Sequence, residues 1–262
     1  MRSEGGRLRH VEESMGTVFS FDIRGVRGGD EESVRAGLRA AVASLHRVDE
    51  IFSTFRPDSQ ISRLGRGELA LSECAGEVRE VLELCAQAER ESGGWFTARY
   101  AGGLDPTGLV KGWAVERAAR TLVSAGASAV CLNGGGDIQL VGGPWRLGIT
   151  DPLRPGGLAT VIECRGTLGV ATSGPAERGC HVLDPRTGRP PVHGPASITV
   201  VCPGGLTVAD SRATAAYAMG RRARDWLEEL ANTEGFGVTA DGGRWMTSGF
   251  HRYIDSAAEV NA

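Results

Sequence analysis

The segment His-Val-Leu-Asp-Pro-Arg-Thr-Gly carries three side chains that could do chemistry together. His181 precedes Asp184 by three residues and Arg186 by five. An imidazole can remove a proton near neutral pH, and a carboxylate or guanidinium beside it can orient it or contact phosphate. Asp-Pro and Thr-Gly also favour chain reversal, so the segment by itself is equally consistent with an ordinary surface turn. The remaining histidines lack such neighbours: His10, His46, His193 and His251.

A second pair of side chains has the spacing of one helical turn. Asp210 and Thr214 are four residues apart, so on a helix both lie on the same face. A carboxylate and a hydroxyl at this spacing offer two hard oxygen ligands to Mg²⁺ without forming a complete cage. The alternative is that Asp210 caps the start of the helix and that Thr214 has no role in binding.

The segment Asp-Pro-Thr-Gly-Leu-Val-Lys, which begins at Asp105, has the composition of an anion site. Lys111 is predicted to lie at the start of a helix, and Gly108 lets a ligand approach the backbone. The amino end of a helix and a lysine both attract anions. The alternative is a helix cap followed by a solvated lysine, and the P-loop pattern Gly-Lys-Ser/Thr is absent from the segment.

Glycines cluster at another place, in Asn-Gly-Gly-Gly-Asp-Ile. A tight hairpin between two apolar strands explains glycines here, although three are more than a two-residue turn requires, and Asn133 and Asp137 flank them. The segments around Met15 and Phe55 supply small polar groups and an aromatic ring at predicted loop positions. Ala-Thr-Ser-Gly does not match the Gly-x-Ser-x-Gly pattern of hydrolases, which argues against Ser173 as a nucleophile.

Hydrophobic periodicity predicts the elements that must position these groups. Alternating residues predict a strand over 17–23, and apolar residues three or four apart predict a long amphipathic helix from Glu31 to Phe52. A loop leading into a short turn is expected after this helix. The same reasoning predicts helices over 77–91, over 112–126, from about Asp210 and around 224–231, strands over 128–133, 137–141, 145–150, 159–164, 167–172 and 197–202, and a hairpin over 236–248.

The connections between most of the predicted strands are short. Short turns favour antiparallel pairing over crossover connections. The fold class that we expect is therefore α+β, with mainly antiparallel sheets flanked by helices, in one compact unit. We expect a main domain over residues 15–250, an N-terminal extension over 1–14 and a C-terminal tail over 251–262.

The composition limits the class of protein. The 262 residues suffice for a sizeable core, and a net charge of −3 without a basic run does not favour nucleic acid or an anionic membrane as partners. The six cysteines form no Cys-x-x-Cys pair and fall mostly in apolar segments, so we expect buried, reduced thiols and no zinc site. No segment has the apolar character of a membrane span or signal peptide, so we expect a soluble, cytoplasmic chain.

Taken together, these segments resemble one family in their content and order. Between about Met15 and Gly249 the chain strongly resembles the ApbE family, the FAD:protein FMN transferases. The motifs that carry the resemblance are Met-Gly-Thr, Phe-Ser-Thr-Phe-Arg-Pro-Asp-Ser-Gln-Ile-Ser-Arg-Leu, Asp-Pro-Thr-Gly-Leu-Val-Lys-Gly-Trp-Ala, Leu-Asn-Gly-Gly-Gly-Asp-Ile, Ala-Thr-Ser-Gly, His-Val-Leu-Asp-Pro-Arg-Thr-Gly-Arg-Pro and Ala-Asp-Ser-Arg-Ala-Thr-Ala.

The resemblance implies a magnesium-dependent enzyme that cleaves the pyrophosphate of FAD. Such an enzyme attaches the FMN half to a threonine, sometimes a serine, of an acceptor flavoprotein and releases AMP. The implied ligands of Mg²⁺ are the Asp210 carboxylate, the Thr214 hydroxyl and the Gly108 carbonyl. Two alternatives are an FAD pyrophosphatase that passes FMN to water and a flavin-binding or trafficking protein without turnover.

The resemblance also implies the remaining roles. His181 would take the proton of the acceptor hydroxyl, Asp210 would be the second catalytic residue, and Lys111 would contact the diphosphate. The other residues implied in FAD binding are Met15, Phe55, Asp105, Asp184 and Arg186.

Two positions depart from the family pattern. Phe55 stands where many members carry tyrosine, which keeps an aromatic surface for stacking but removes a hydroxyl hydrogen bond. Phe96 and Thr97 stand where many members have Phe-Asp, so the FAD contacts expected there are not carried over. Many relatives are exported lipoproteins, and this chain has neither the signal nor the lipobox cysteine, which predicts a cytoplasmic variant.

Overall fold

A large antiparallel sheet forms the centre of the fold. The computed structural model describes residues 6–26, 31–100, 103–175, 182–191 and 194–255. The strands within these ranges are β1 (Gly6–Ser14), β2 (Thr17–Val26), β3 (Arg99–Tyr100), β4 (Gly103–Leu104), β5 (Ala129–Gly134), β6 (Asp137–Val141), β7 (Trp145–Thr150), β8 (Leu158–Cys164), β9 (Leu168–Ser173), β10 (Pro195–Cys202), β11 (Glu234–Thr239) and β12 (Arg244–Met246). Among them, eight form one sheet in the order β1-β2-β5-β6-β9-β10-β11-β12, and β3-β4 and β7-β8 are separate hairpins. Every pairing among these described strands is antiparallel, which confirms the predicted mainly antiparallel sheets.

Helices cover one face of this sheet. The α-helices in the described ranges are α1 (Glu31–Phe52), α2 (Gln60–Gly65), α3 (Gly76–Glu91), α4 (Thr107–Ser124), α5 (Leu206–Met219) and α6 (Ala223–Glu229). The long helix predicted from Glu31 is confirmed, and α3 ends before two glycines, Gly93 and Gly94, that adopt positive φ angles of 61° and 82°. The six-residue helix α2 replaces part of the predicted loop, because the Ser59 hydroxyl caps it by accepting the Ser62 N–H at 3.1 Å.

The sheet separates two apolar clusters. Phe19, Phe21 and Ile23 of β2 are buried on the helix side, whereas the residues that alternate with them are not, as the sequence pattern predicts. On the other face, Trp145 and Ile162 of the β7-β8 hairpin pack with residues of the later strands. The arrangement confirms the α+β class with antiparallel sheets and flanking helices.

Two helices begin earlier than predicted. Helix α4 begins at Thr107 and α5 at Leu206, so Lys111 and Asp210 lie in second turns. The first N–H groups of α5 are satisfied from other elements: the Leu206 N–H donates to Gln139 Oε1 and the Thr207 N–H to Glu116 Oε2, both at 2.8 Å. The alternative that Asp210 caps the helix is therefore wrong.

Residues 6–14, predicted as part of an N-terminal extension, form β1 at the edge of the sheet, and the Ser14 hydroxyl donates to the Leu45 carbonyl of α1. Within the described ranges, no helix combines the length and apolar character needed to span a membrane.

The described cysteines carry free thiols. Cys74, Cys85, Cys164 and Cys202 are buried, as predicted, and Cys131 is half-buried. Burial raises the pKa of the Cys85 thiol to about 12. Cys180 lies outside the described residues.

Candidate functional site

Helices α4 and α5 approach each other closely at a glycine. The Gly112 N–H donates to Oδ2 of Asp210 at 2.9 Å, and Asp210 is buried. A Cβ atom at Gly112 would lie 2.7 Å from Cβ of Asp210 and 2.8 Å from the Leu206 carbonyl oxygen. Any larger residue would push the helices apart, so glycine is required to bring the Asp210 carboxylate against α4.

A second contact lies one turn away on both helices. The Thr214 hydroxyl donates to the Gly108 carbonyl at 3.4 Å, and Thr214 is buried. A Cβ atom at Gly108 would lie 3.3 Å from Cγ2 of Thr214 and 3.4 Å from the Phe96 ring. The helix pair therefore brings together the three groups implied as metal ligands: a carboxylate, a hydroxyl and a carbonyl.

These residues fit a hard divalent cation by the chemistry of their donors. All three groups are oxygen donors, which Mg²⁺ prefers, and Mg²⁺ keeps coordination positions for water or phosphate oxygens. Among the described residues, no group of three or more His, Cys, Asp or Glu side chains is placed to hold a metal ion. Of the described groups, the Thr214 hydroxyl and the Gly108 carbonyl are the ones that would join Asp210 around such a cation.

Lys111 lies on α4 between these two contacts, and it is not the solvated lysine of the alternative interpretation. Its ammonium is 2.7 Å from Oδ2 of Asp137, with side-chain exposures of 13% for the lysine and 2% for the aspartate. It also donates to the Gly135 carbonyl at 3.5 Å. Because α4 begins at Thr107, Lys111 packs over the end of the β5-β6 hairpin instead of marking the first turn of the helix.

The triple glycine forms the turn of that hairpin. Gly135 and Gly136 have φ angles of 57° and 89°, as a two-residue turn of this kind requires, and the Asn133 side chain accepts the Gly136 N–H at 2.9 Å. The remaining glycine, Gly134, precedes the turn and is required by packing, since a Cβ atom there would lie 2.7 Å from the Phe19 ring. Asn133 and Asp137 were both named from the sequence without a role; for Asp137 the signal was an acid placed directly after the turn, at the start of a buried strand.

A cavity of about 440 Å³ opens beside α4. It is bordered by the β1-β2 turn, the end of α1 and the start of α4, and it brings Met15, Phe55 and Lys111 together. Met15 holds a left-handed conformation with φ of 49°, and Phe55 is 96% exposed at the edge of the cavity. Thr107 and Lys111 of α4 line the cavity, and Gly108 and Gly112, each one residue further along the helix, face α5 instead.

Asp105 and Thr97 have local roles. The Asp105 carboxylate accepts the Thr107 N–H at 3.0 Å at the start of α4. The backbone N–H of Asp105 donates to the Ala98 carbonyl at 2.8 Å. The Thr97 hydroxyl accepts the Arg99 N–H at 3.1 Å. Within the part of the chain that the structure describes, Asp105 is not among the residues that border the cavity.

The segment that contains the predicted base is described from Val182 onward, and His181 lies outside the described residues. Val182 is buried against Tyr217 and Ala218, one turn beyond Thr214 on α5. The Asp184 carboxylate accepts the Arg186 N–H at 2.8 Å and so closes its own turn. The Arg186 guanidinium lies over the Trp95 ring. The segment is therefore anchored to the helix that carries Asp210 and Thr214.

Comparison with known proteins gives one family. The ApbE family matches residues 15–102 and 98–236. The FAD:protein FMN transferase of Rhodobacter capsulatus is 34% identical over 135 residues, which are 47% of this chain and 25% of that protein. The curated relatives are matched over 25% to 48% of their own lengths, so the chain spans less than half of each.

Solved structures establish the fold. The flavin transferase ApbE from Vibrio cholerae superposes with a TM-score of 0.78 at 21% identity and covers 95% of this chain and 100% of that one. The ApbE protein from Thermotoga maritima superposes with a TM-score of 0.82 at 19% identity, over 96% of this chain and 100% of that one.

Proposed function

This chain belongs to the ApbE family, and from that premise we propose that it is an FAD:protein FMN transferase. Its substrate would be FAD, and its partner an acceptor flavoprotein that offers a threonine or serine hydroxyl. The observation that carries the proposal is the contact between α4 and α5, which brings Asp210, Thr214 and the Gly108 carbonyl together at α4, the helix whose Lys111 borders a cavity.

The proposed reaction is a phosphoryl transfer. The acceptor oxygen forms a bond to the FMN phosphorus, the bond from that phosphorus to the bridging oxygen breaks, and AMP leaves with the electron pair. The hydroxyl proton passes to a base. Such reactions depend on neutralising the negative charge of the phosphates and on orienting the attacking oxygen.

We propose that the Asp210 carboxylate, the Thr214 hydroxyl and the Gly108 carbonyl would hold Mg²⁺. The ion would supply positive charge to the pyrophosphate oxygens. The burial of Asp210 and Thr214 supports this assignment, because side chains fixed by packing keep their oxygens in place. Asp210 would also be the second catalytic residue.

The cavity beside α4 is the proposed site for FAD. Met15 and Phe55 would lie against the flavin or the adenine, and Lys111 would contact the diphosphate. Asp105, Asp184 and Arg186 remain predicted FAD contacts. The exposed ring of Phe55 supports the assignment, since covering an aromatic side chain with a flat ring removes apolar surface from water, which is favourable.

His181 is the proposed base for the acceptor hydroxyl. The burial of Val182 beside α5 supports this role, because the described part of the segment begins next to the helix that carries the proposed metal ligands. Removing a general base slows a reaction by about 10²–10⁴-fold. We therefore expect His181→Ala to bind FAD normally and to transfer FMN more slowly by that factor.

The test combines two measurements on the wild-type protein with FAD and Mg²⁺. AMP release is followed with and without a candidate acceptor, and the acceptor is analysed by mass spectrometry for an FMN adduct on threonine or serine. AMP release together with an adduct supports the transferase. AMP release that never yields an adduct indicates a pyrophosphatase, and FAD binding without AMP release indicates a flavin-binding protein.

A further inference from the structure

The Asn-Gly-Gly-Gly-Asp motif contains an acid that its hairpin does not need. Asp137 begins β6 directly after the turn, and it is 1% exposed. Burying a carboxylate costs several kcal/mol unless a cation and hydrogen bonds compensate it. An apolar residue at the start of a buried strand would serve the hairpin at least as well, so the acid calls for an explanation beyond the turn.

The contacts of Asp137 fix both of its oxygens. Oδ1 accepts the N–H of Thr172 on β9 at 3.0 Å, and Oδ2 lies 2.7 Å from the Lys111 ammonium. One partner of the carboxylate is thus a backbone N–H of the neighbouring strand, and the position of a backbone group does not depend on a side-chain rotamer. A lysine has a long, flexible stem, and here a rigid counter-ion determines where its charge lies.

Lys111 faces two environments. One side of its ammonium meets Asp137 and the Gly135 carbonyl, and the residue also borders the cavity beside α4. With 13% of the side chain exposed, an ammonium held without a counter-ion would be costly in this position. Asp137 thus compensates the charge of Lys111 and fixes its position at the wall of the cavity.

We propose that Asp137 is a positioning residue for FMN transfer, which holds the Lys111 ammonium in place for the diphosphate of FAD. This inference rests on the proposed function. It differs from a purely structural role, because buried ion pairs can often be replaced by neutral side chains without loss of stability. Stability and transfer should therefore respond differently when the pair is removed as a whole.

Three variants separate the two roles. Asp137→Asn keeps an oxygen for the Thr172 N–H and removes the charge; Lys111→Met removes the cation; the third variant combines both. Each single variant leaves a buried group without its partner, or with a weaker one, and we expect Tm to fall by about 5–15 °C. The double variant should regain part of that loss.

The rates of transfer should follow a different order. A misplaced binding group can slow a reaction by about 10²-fold. Asp137→Asn should therefore lower kcat for transfer by about 10–100-fold at a temperature where it is folded, and the double variant should stay as slow as Lys111→Met.

Asp151→Asn is a matched control. Asp151 is also buried, its Oδ1 accepts the Leu153 N–H at 3.0 Å, and its Oδ2 lies 3.3 Å from Arg244, on the side of the sheet that carries the β7-β8 hairpin. This variant should lose stability and keep the wild-type kcat. Wild-type kcat in folded Asp137→Asn would overturn the inference and leave the proposed function intact. If the wild-type protein transfers no FMN to any acceptor, both the proposed function and the inference about Asp137 are contradicted.

Discussion

The guanidinium carbon of Arg186 lies 4.2 Å from the centre of the Trp95 ring. The two residues belong to different parts of the chain: Trp95 follows the glycines that end α3, and Arg186 lies in the turn closed by the Asp184 carboxylate. A cation over an indole ring is attracted to its π electrons. The turn after His181 is therefore held at two points, by this contact and by the buried Val182.

Trp95→Leu should loosen this turn, because leucine keeps apolar volume but has no π face. A cation–π contact at an exposed site contributes about 0.5–1 kcal/mol, or about two- to fivefold in local opening. The amides of Thr187 and Gly188, which donate to the Asp184 carbonyl, should exchange hydrogen faster by that factor. Trp95→Phe should lie nearer the wild type. Trp226, Trp95 and Arg186 line one surface groove, and Trp226→Phe should not change the exchange. Unchanged exchange in Trp95→Leu would show that Val182 suffices.

Asp210→Ala should abolish FMN transfer while leaving the chain folded. Asp210→Asn keeps an oxygen for the Gly112 N–H but loses the charge that a hard cation prefers, so we expect very slow transfer here as well. The measurement is the rate of adduct formation across a magnesium titration, with circular dichroism as the control for folding. Undiminished transfer by the asparagine variant would remove Asp210 from the metal site.

Gly112→Ala tests the close approach of α4 and α5. A methyl group would meet Cβ of Asp210 at 2.7 Å and the Leu206 carbonyl at 2.8 Å, and overpacking of this kind costs about 1–3 kcal/mol. The free energy of unfolding is measured in urea. Gly76→Ala is the control, since its added Cβ meets only the end of a flexible arginine at 3.9 Å, and a change within about 0.5 kcal/mol is expected. Equal effects at both glycines would contradict the packing argument.

Phe55→Ala should weaken FAD binding without changing stability. The side chain is 96% exposed, so its removal leaves no cavity, whereas stacking on a base is worth about 1–3 kcal/mol. Phe55→Tyr should bind FAD much as the wild type does. Phe52 borders the same cavity but is 2% exposed, and Phe52→Ala should cost about 3–5 kcal/mol of stability. FAD titration and thermal unfolding of the three variants distinguish binding from packing.

Acid should remove the stabilising contribution of Asp22. Burial would raise the pKa of this carboxyl, but hydrogen bonds from Arg7 and Arg24 outweigh it and lower the pKa from 3.8 to about 2. A folded-state pKa below the unfolded value means that the contribution is complete above about pH 4 and is lost as the pH falls towards 2. Asp22→Asn should therefore cost about 1–2 kcal/mol at pH 6 and almost nothing at pH 2. A difference that stays constant with pH in denaturant unfolding would exclude this linkage.

Local patterns predicted most of the fold. The alternation in β2 and the spacing of apolar residues in α1 and α3 are set by which face is buried, and the structure follows them. The start of α5 was missed because its first N–H groups bond to Gln139 and Glu116, which lie 67 and 91 residues earlier in the chain. Ser59, three residues before Ser62, was a local capping signal for α2 that the sequence reasoning did not use.

In the candidate site, too, local features could be predicted from the sequence and long-range contacts could not. The shared face of Asp210 and Thr214 follows from helical spacing, but their contact with α4 depends on Gly112 and Gly108, which periodicity does not link to α5. The pairing of Lys111 with Asp137 requires α4 to pack over the β5-β6 turn, a tertiary contact between a helix and a hairpin. Such contacts arise from packing, so the ion pair of Asp137 with Lys111 became visible only in the structure.

The distance in sequence between the two halves of the α4-α5 contact has a consequence for how the protein is made. Gly112 and Asp210 are 98 residues apart, and Gly108 and Thr214 are 106 apart. During synthesis the walls of the cavity beside α4 emerge early, whereas the Asp210 carboxylate emerges only after β10. Contacts of such long range form late, because the loop between them must first be ordered. A growing chain on the ribosome therefore has no complete set of the proposed metal ligands until α5 docks, and a chain truncated before residue 206 would lack Asp210 and Thr214 altogether.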